Sequence, residues 1–444
     1  MSIGYLDSQK LTNIANAIRT KNDSQSTYTP SQMPQAILDI PSPERSISQW
    51  KQVAVIDYDG TLIADYTRQE ALALTALPTA PNHSQDELPL DFEAYNWTLA
   101  EVKNHLTNHP QLNITVGALY RSTDDLSHFI YNLNDDRLTI YFTMGEGESN
   151  RYVDWGDGNT TQFNQFQTNL THTYSTQGRY HVKLKAKQFS YSDNYVRTAH
   201  GPEAFSIGKA VTSFFYQAFY RSTDLLKAPF AEVPYSGSSI SLGASATEAR
   251  FLEGLVTPRT WTSQNLNNNK YLRMKIISLP CNYNPGTGDL NFTYNPCLER
   301  IDIPYGCQQR IRNLSYTLVK NFTLPSSCSS FDTFSTDYRI EKIIIEEGTT
   351  ELGNNVIYYP YLAKEVYLPS TLTSMVGAFR PCNSELVIWC YAQTPPTLYY
   401  SPLDRSNPNP KKIYVPYGTK STYESTQYWS AYANTGIYEE MPPV

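Results

Sequence analysis

The residues of the N-terminal half that are best suited to chemistry are two aspartates, Asp57 and Asp59, in the stretch VAVIDYDGTL at 53–62. Two carboxylates this close together can share proton transfer at a substrate, or they can belong to a tight turn. Asp-Gly between two β-prone runs is the strongest short-range hairpin signal, because Gly60 accepts the positive φ of a type I′ turn. The local pattern therefore predicts a hairpin turn at Asp59 and Gly60.

The order Asp-x-Asp-Gly-Thr after an apolar run also resembles the first motif of the haloacid dehalogenase superfamily of phosphatases. The resemblance implies that Asp57 attacks phosphorus and that Asp59 handles the proton. It also implies a buried parallel strand, a following helix, a Ser/Thr on the next strand, and a Lys before a second acidic pair, converging on Mg²⁺. The nearest candidates are Lys103 and Asp135-Asp136, but FIYNLNDDRLTIYF places those aspartates in a turn. We therefore predict no enzymatic activity and keep the phosphatase as a remote alternative.

Composition indicates a multidomain protein that acts by contact. The 444 residues suffice for two to four domains, charged residues make up 17%, and tyrosine reaches 35 copies. The formal charge is −7 with no Lys/Arg block, so nucleic acid is not a predicted partner. No apolar run approaches a membrane span, and MSIGYLDSQK lacks the plan of a secretory signal. Neither membrane insertion nor a cleaved leader is expected.

Cysteine and histidine are segregated along the chain. All seven histidines lie at or before His200, whereas the first of the six cysteines is Cys281. No zinc-type cluster and no Cys/His pair is therefore predicted. We expect the cysteines to be small buried hydrophobic residues, with disulfides as the alternative. No metal and no cofactor is predicted.

The first domain, residues 1–44, is predicted to be a helical docking segment of two short amphipathic helices. It is too small to bury a core alone. The patterns L-x-x-I-A-x-A-I-R-x-K and Y-T-P-x-x-M-x-x-A-I resemble N-terminal segments of tail and baseplate-associated proteins of phages that infect Gram-positive bacteria. The resemblance implies docking on a virion, although packing on the chain's own next domain explains the pattern too. The candidate docking residues are Leu11, Ile14, Ile18, Met33, Ile37 and Leu38.

Two further domains follow. Residues 45–110 are predicted to be a small α+β module of ββα type, with capping boxes at Thr67/Glu70 and Thr98/Glu101. Residues 111–206 alternate polar and apolar positions, which predicts an antiparallel β-sandwich. V-D-W-G-D-G at 153–158, then H-x-Y and G-x-Y-x-V, resembles the polycystic-kidney-disease (PKD) domain, an Ig-like sandwich. That resemblance implies a spacer or adhesion module in which the turn and the tryptophan are structural.

The C-terminal half is repetitive. Short strands, most of them ending in proline, recur at intervals of 21 to 24 residues between successive markers, such as VTP, ISLP, IDIP, FTLP, IIIE and VYLP, which predicts a solenoid with one strand per turn. The pattern resembles BspA-like leucine-rich repeats, and IWCYAQTPPTL with Y-V-P…Y…W…Y resembles their terminus. The predicted bounds are 207–398 for the repeats and 399–444 for the C-terminal repeat and cap. The fold class is therefore multidomain and mainly β.

Tyrosines cluster on the repeats, and a ring with a polar tip favours contact with sugars or proteins. Packing between coils is the competing explanation. The candidate surface-binding residues are Tyr358, Tyr359, Tyr361, Tyr399, Tyr400, Tyr414 and Tyr417.

Together these expectations favour a virion structural protein of a phage tail or baseplate, made in the host cytoplasm. It would be a tail fibre or receptor-binding-type adhesin that is attached by its N-terminus. Expected partners are other tail proteins and a host-surface glycan or protein, in a homo-oligomer or several copies per virion. The alternative is a secreted or surface-displayed bacterial leucine-rich-repeat adhesin.

Overall fold

Short β-prone segments between Gly, Pro, Asn and Ser turns fold mainly into strands, as the sequence predicts. The structure, a computed structural model, describes residues 46–134, 138–144, 150–163, 167–190, 201–214, 224–234, 251–261, 273–284, 289–292, 295–312, 314–330, 339–353, 356–358, 362–376, 379–380, 384–399 and 409–443. Contacts divide the chain into two units, 1–50 and 51–444. In the first unit the described part is a 3-10 helix, Ile47–Gln49. The predicted docking residues from Leu11 to Leu38 lie outside the described residues.

The second unit opens with a small α/β module. Its elements are β1 (Val53–Ile56), β2 (Leu62–Tyr66), α1 (Arg68–Ala73), β3 (Leu90–Tyr95), α2 (Leu99–Asn108) and β4 (Ile114–Ser122). The sheet order is β2-β1-β4-β3, and β1 pairs in parallel with β4. Both helices start at the predicted capping boxes, where each threonine accepts from the backbone of the glutamate three residues on. The long strand β4 lies beyond residue 110, so the sheet extends past the bounds expected for the module.

The predicted hairpin at Asp59 and Gly60 is confirmed, but its turn differs from the predicted type. The Gly60 amide donates to the Asp57 carbonyl at 3.1 Å, and the Asp57 amide donates to the Thr61 carbonyl at 2.8 Å. Gly60 has φ +93°, whereas Asp59 is not among the residues with positive φ. A type I′ turn needs positive φ at both central residues, so this is a longer loop that closes through a left-handed glycine.

A β-sandwich follows the module. Its strands are β5 (Ser127–Leu133), β6 (Thr139–Met144), β7 (Arg151–Asp154), β8 (Thr160–Phe163), β9 (Gln167–Thr173), β10 (Gly178–Lys185), β11 (Gln188–Ser190), β12 (Ala204–Ser206) and β13 (Ser213–Phe214). They form sheets of order β12-β5-β10-β7-β8 and β13-β11-β6-β9. Phe129 of one sheet contacts Phe142 and Phe189 of the other, with ring centroids 5.0 and 5.7 Å apart. Aromatic side chains therefore fill the space between the sheets.

The remainder of the unit is a β-solenoid of about seven turns. Its strands are β14 (Gly254–Val256), β15 (Ile276–Ser278), β16 (Asp289–Asn291), β17 (Arg300–Ile301), β18 (Arg310–Arg312), β19 (Asn321–Leu324), β20 (Ser329–Ser330), β21 (Lys342–Ile345), β22 (Glu351–Leu352), β23 (Ile357–Tyr358), β24 (Glu365–Leu368), β25 (Ser374–Val376), β26 (Phe379–Arg380), β27 (Val387–Cys390), β28 (Thr397–Tyr399), β29 (Lys412–Val415) and β30 (Tyr438–Glu440). Short 3-10 helices lie at Leu314–Tyr316 and Trp429–Tyr432, and α3 spans Lys420–Ser425.

Successive coils pair in parallel through strands of the predicted period. The main sheets have the orders β14-β15-β17 and β19-β21-β24-β27-β29-β30. We call the second of these the display sheet. The expectation of one strand per turn is wrong, because β16-β18-β20, β22-β25-β28 and β23-β26 form further parallel sheets. These extra strands are two or three residues long and are bounded by turns, so they leave little strand pattern in the sequence.

Strand β4 of the module runs across the first coils. The Ser122 and Tyr120 amides donate to the carbonyls of Ile207 and Phe230, which lie in successive coils. Farther along the strand, Gly117 lies against Val256, where an added Cβ would meet that side chain at 2.4 Å. The Thr115 carbonyl accepts from Ser278 Oγ at 2.7 Å. One strand therefore makes contacts with four consecutive coils.

Buried polar side chains complete this contact between the module and the solenoid. Asn96 accepts from the Gly117 amide at 2.7 Å and donates to Ser278 Oγ at 2.9 Å. Arg300 donates to the carbonyls of Lys51 and Gln52, both at 3.0 Å. Because buried polar groups need partners, these pairs fix the position of the module on the coils.

Aromatic side chains close the C-terminal end of the solenoid. The Tyr423 hydroxyl donates to the Ala392 carbonyl at 2.6 Å, and the Trp429 indole donates to the Pro396 carbonyl at 2.9 Å. The Tyr438 hydroxyl in turn donates to the Trp429 carbonyl at 2.8 Å. All three rings are buried, so they cover the last coils with satisfied polar tips.

The described cysteines are free thiols. Cys307, Cys328 and Cys390 are buried in the solenoid, as predicted, whereas Cys281 and Cys297 are half-buried. Cys382 lies outside the described residues.

Candidate binding face of the display sheet

The Asp57 carboxylate lies at the end of buried strand β1 and is hydrogen-bonded to groups of its own module. It accepts from the Tyr58 amide at 2.8 Å, and its other oxygen pairs with His83 Nε2 at 2.8 Å. His83 Nδ1 pairs with Asp86 at 2.8 Å. Burial alone lowers the pKa of His83, but the hydrogen bonds and charges of Asp57 and Asp86 outweigh it and raise that pKa. The two aspartates therefore favour the charged form of the His83 ring.

Asp59 and Gly60 lie against the solenoid. The Asp59 carboxylate accepts from the Thr61 amide at 2.9 Å. A Cβ added to Gly254 would lie 2.2 Å from the Asp59 carbonyl carbon, so the two backbones are in direct contact. After this turn the chain enters β2 rather than a helix. The Asp-x-Asp motif thus forms a turn that packs on the first coils.

The display sheet carries an aromatic ladder on its outer face. In β24, β27 and β29 the residues Val366, Ile388 and Ile413 are buried in the coil interior. The next residue in each strand, on the opposite face, is Tyr367, Trp389 or Tyr414. The Trp389 and Tyr414 rings stack at 4.0 Å and 11°, and the Tyr367 and Trp389 rings lie 6.1 Å apart at 5°. We call these three residues the aromatic ladder.

A cation covers the first ring of the ladder. Lys342 Nζ lies 4.6 Å from the Tyr367 ring centroid and 3.1 Å from the Glu365 carboxylate. Burial alone lowers the pKa of Lys342, but Glu365 and Tyr367 outweigh it and raise that pKa. The lysine therefore stays charged and compensated beside the ladder.

Ion pairs between coils run beside the ladder. Lys320 and Lys364 both pair with Glu341, and Glu385 pairs with Lys411 at 3.1 Å. The hydrogen bond from Lys364 lowers the pKa of Glu341. Exposed pairs of this kind add little stability individually, but each of these charges has a partner of opposite sign.

A groove lies between the ladder and the loop that joins α2 to β4. It has a volume of about 1030 Å³ including its open mouth, and we call it the ladder groove. The module side presents three amides and the display sheet presents two rings and an ammonium group: Gln52, Gln111, Asn113, Tyr367, Tyr391 and Lys342. The groove thus combines aromatic surface with a few polar groups, which is typical of a ligand site.

The predicted tyrosine cluster is only partly on this face. Tyr414 belongs to the ladder, whereas Tyr399 and Tyr417 are exposed elsewhere, in β28 and in the turn after β29. Tyr358 lies in β23, and its side chain is outside the described part of the chain. Tyr359, Tyr361 and Tyr400 lie outside the described residues.

Sequence reasoning missed Tyr367, Tyr391 and Trp389. The signal was present in the strands EVYL, VIWC and KIYV, where an aliphatic residue alternates with an aromatic one. Aligning these strands on their buried residue places Tyr367, Trp389 and Tyr414 at one outward position. The predicted set instead followed local tyrosine density.

The carboxylates of the turn before β8 have partners of their own. Asp154 accepts from the Gly156 amide, and Asp157 pairs with His172 at 2.7 Å, so both carboxylates brace the turn before β8. Within the described ranges no group of three or more His, Cys, Asp or Glu side chains could hold a metal ion. No helix in the part of the chain that the structure describes is long and apolar enough to cross a membrane.

Comparison of the chain with models of known protein families gives no match, and neither does comparison with curated protein sequences.

Proposed function

We propose that this protein is a structural component of a phage tail or baseplate that displays its solenoid for contact with a host surface. The N-terminal segment would attach it to the virion, and the PKD-like sandwich and BspA-like coils would carry the contact face. The observation that carries the proposal is the aromatic ladder with its groove on the outer face of the display sheet. Outward-facing aromatic rings beside paired charges suit recognition.

The N-terminal resemblance supports attachment to a virion. The motifs from Leu11 to Lys21 and from Tyr28 to Ile37 match the pattern of tail-associated segments. The order of the parts along the chain, with the N-terminal segment first and the solenoid last, suits attachment by the N-terminus and display by the solenoid. Several copies or a homo-oligomer would present several ladders, which raises avidity for a repetitive surface.

Antibody labelling of purified phage particles tests this proposal. An antibody raised against residues 207–444 is expected to label the distal tail in electron micrographs and to block adsorption. Tail labelling without a block would favour contacts with neighbouring tail proteins. If no particle is labelled, the virion proposal fails and a bacterial surface adhesin becomes the better account.

The proposal includes no catalytic role for Asp57. Its carboxylate is buried and paired with His83, which leaves it without free access to a phosphate. Phosphatase assays with Mg²⁺ and a generic phosphomonoester are expected to show no activity. Activity in the wild type that disappears in Asp57→Asn would overturn this part of the proposal.

A further inference from the structure

We infer that the ladder groove binds an uncharged glycan. This inference rests on the proposed function, which states where the ligand is met, and it adds the chemical class of that ligand.

The charged groups of the groove have hydrogen-bond partners within the chain. Lys342 pairs with Glu365 and lies over the Tyr367 ring. Glu347, which also lines the groove, accepts from the amide and hydroxyl of Ser370 at 2.9 Å each. Binding a phosphate or carboxylate would require a cation without a partner, and Lys342, the cation among the groove-lining residues, is paired with Glu365. The groove therefore does not select an anionic ligand.

The available groups are neutral hydrogen-bonding groups. Gln111 Oε1 accepts from the Glu347 amide, which leaves its NH₂ group for another acceptor. Within the described residues the Asn113 side chain makes no hydrogen bond, and neither does the Tyr391 hydroxyl. Neutral amides and hydroxyls in an open groove match the hydroxyl groups of sugars, which both donate and accept.

The aromatic surface supplies the complementary contact. Tyr391 is 37% exposed, and its ring lines the groove beside Tyr367. The C–H face of a pyranose ring is apolar and can pack on such a surface, while its hydroxyls reach the amides across the groove. The faces of Tyr367, Trp389 and Tyr414 stack on one another or on Lys342, so Tyr391 supplies the ring face on which a sugar can pack.

The test uses the purified full-length chain and a printed array of neutral oligosaccharides, with sialylated and phosphorylated glycans on the same array. We expect at least one neutral glycan to bind and no preference for the acidic ones. Asn113→Ala and Tyr391→Ala are expected to weaken that binding about tenfold each. Tyr417→Ala is the matched control, because Tyr417 is exposed and lies outside the groove.

Asn113→Asp keeps the size of the side chain and replaces its two donors with acceptors, so it separates lost binding from lost folding. Circular dichroism and thermal melting confirm that each variant is folded. Three results would overturn the inference: no neutral glycan binds, acidic glycans bind better, or the groove variants bind like the wild type. If antibody labels the phage tail and any of these three results is found, the proposed function stands and only the inference of a glycan ligand fails.

Discussion

The Trp389 and Tyr414 rings lie face to face, 4.0 Å apart, on neighbouring strands of the display sheet. Each ring covers the other from water, and Tyr367 and Lys342 continue the stack on the far side of Trp389. The contact follows from parallel pairing in register, which places equivalent residues of successive coils side by side.

Trp389→Ala should destabilise the solenoid. The change removes two stacked contacts and the apolar area that they bury, and we expect a loss of about 2 kcal/mol in the free energy of unfolding. Urea unfolding monitored by circular dichroism measures this loss. Tyr399→Ala is the control, since that side chain is 51% exposed, and its effect should be small. Equal losses in the two variants would contradict the role of the stack.

Gly254→Ala should loosen the contact between the module and the solenoid. Its new Cβ would lie 2.2 Å from the Asp59 backbone, so the hairpin must move. We expect a loss of about 2 kcal/mol in stability, measured as a lower denaturant midpoint. In Gly178→Ala the atoms nearest to the new Cβ belong to the Tyr180 side chain, at 3.4 Å, so this control should be near neutral. A neutral Gly254→Ala would show that the two backbones are not held together.

His83→Gln should remove a stabilising contribution that is lost as the pH rises. The folded pKa of His83 is raised above its unfolded value, because Asp57 and Asp86 outweigh the effect of burial. The contribution is therefore complete below the unfolded pKa of about 6.5, and it disappears as the pH rises through the folded pKa. Stability curves of the wild type and the variant should differ most in mild acid and converge at alkaline pH. A constant difference across this range would refute the assignment.

His105→Leu should have the opposite pH dependence. Burial lowers the pKa of His105 to about 4, and its Nε2 has no hydrogen-bond partner among the described groups. The folded state therefore loses stability as the pH falls from about 6.5 towards that value, because the unfolded state binds the proton. At pH 5 we expect the variant to gain roughly 2 kcal/mol over the wild type, relative to the difference at pH 8. An unchanged acid limb in the denaturation curve would contradict the prediction.

Local features of this fold could be predicted from the sequence. The hairpin at Gly60, the capping boxes at Thr67 and Thr98, and the period of the coils all depend on neighbouring residues. Each has a local physical cause: positive φ, unsatisfied helix amides, or the recurrence of an apolar strand.

Features that depend on distant residues could not be predicted. Asn96 and Arg300 find their partners in segments more than 150 residues away, and no local pattern encodes such pairs. Asp59 and Gly60 are the residues of a type I′ hairpin turn, but the structure closes the hairpin with a longer loop from Asp57 to Thr61. Part of the site was missed because the prediction followed local clusters of tyrosine, which include Tyr399 and Tyr417. Tyr367 and Trp389 are instead related by a shared outward position in successive strands.

The hydrogen bonds from Arg300 to the carbonyls of Lys51 and Gln52 span 249 and 248 residues. At a synthesis rate of about 5–20 residues per second, the ribosome needs on the order of ten seconds or more to supply the arginine after those carbonyls. The partners of β4 itself arrive earlier, from Ile207 to Ser278, and before they are made the amides of Tyr120 and Ser122 lack their acceptors. The order of translation therefore makes completion of this unit a late event, set by the arrival of the early coils rather than by the folding speed of the module.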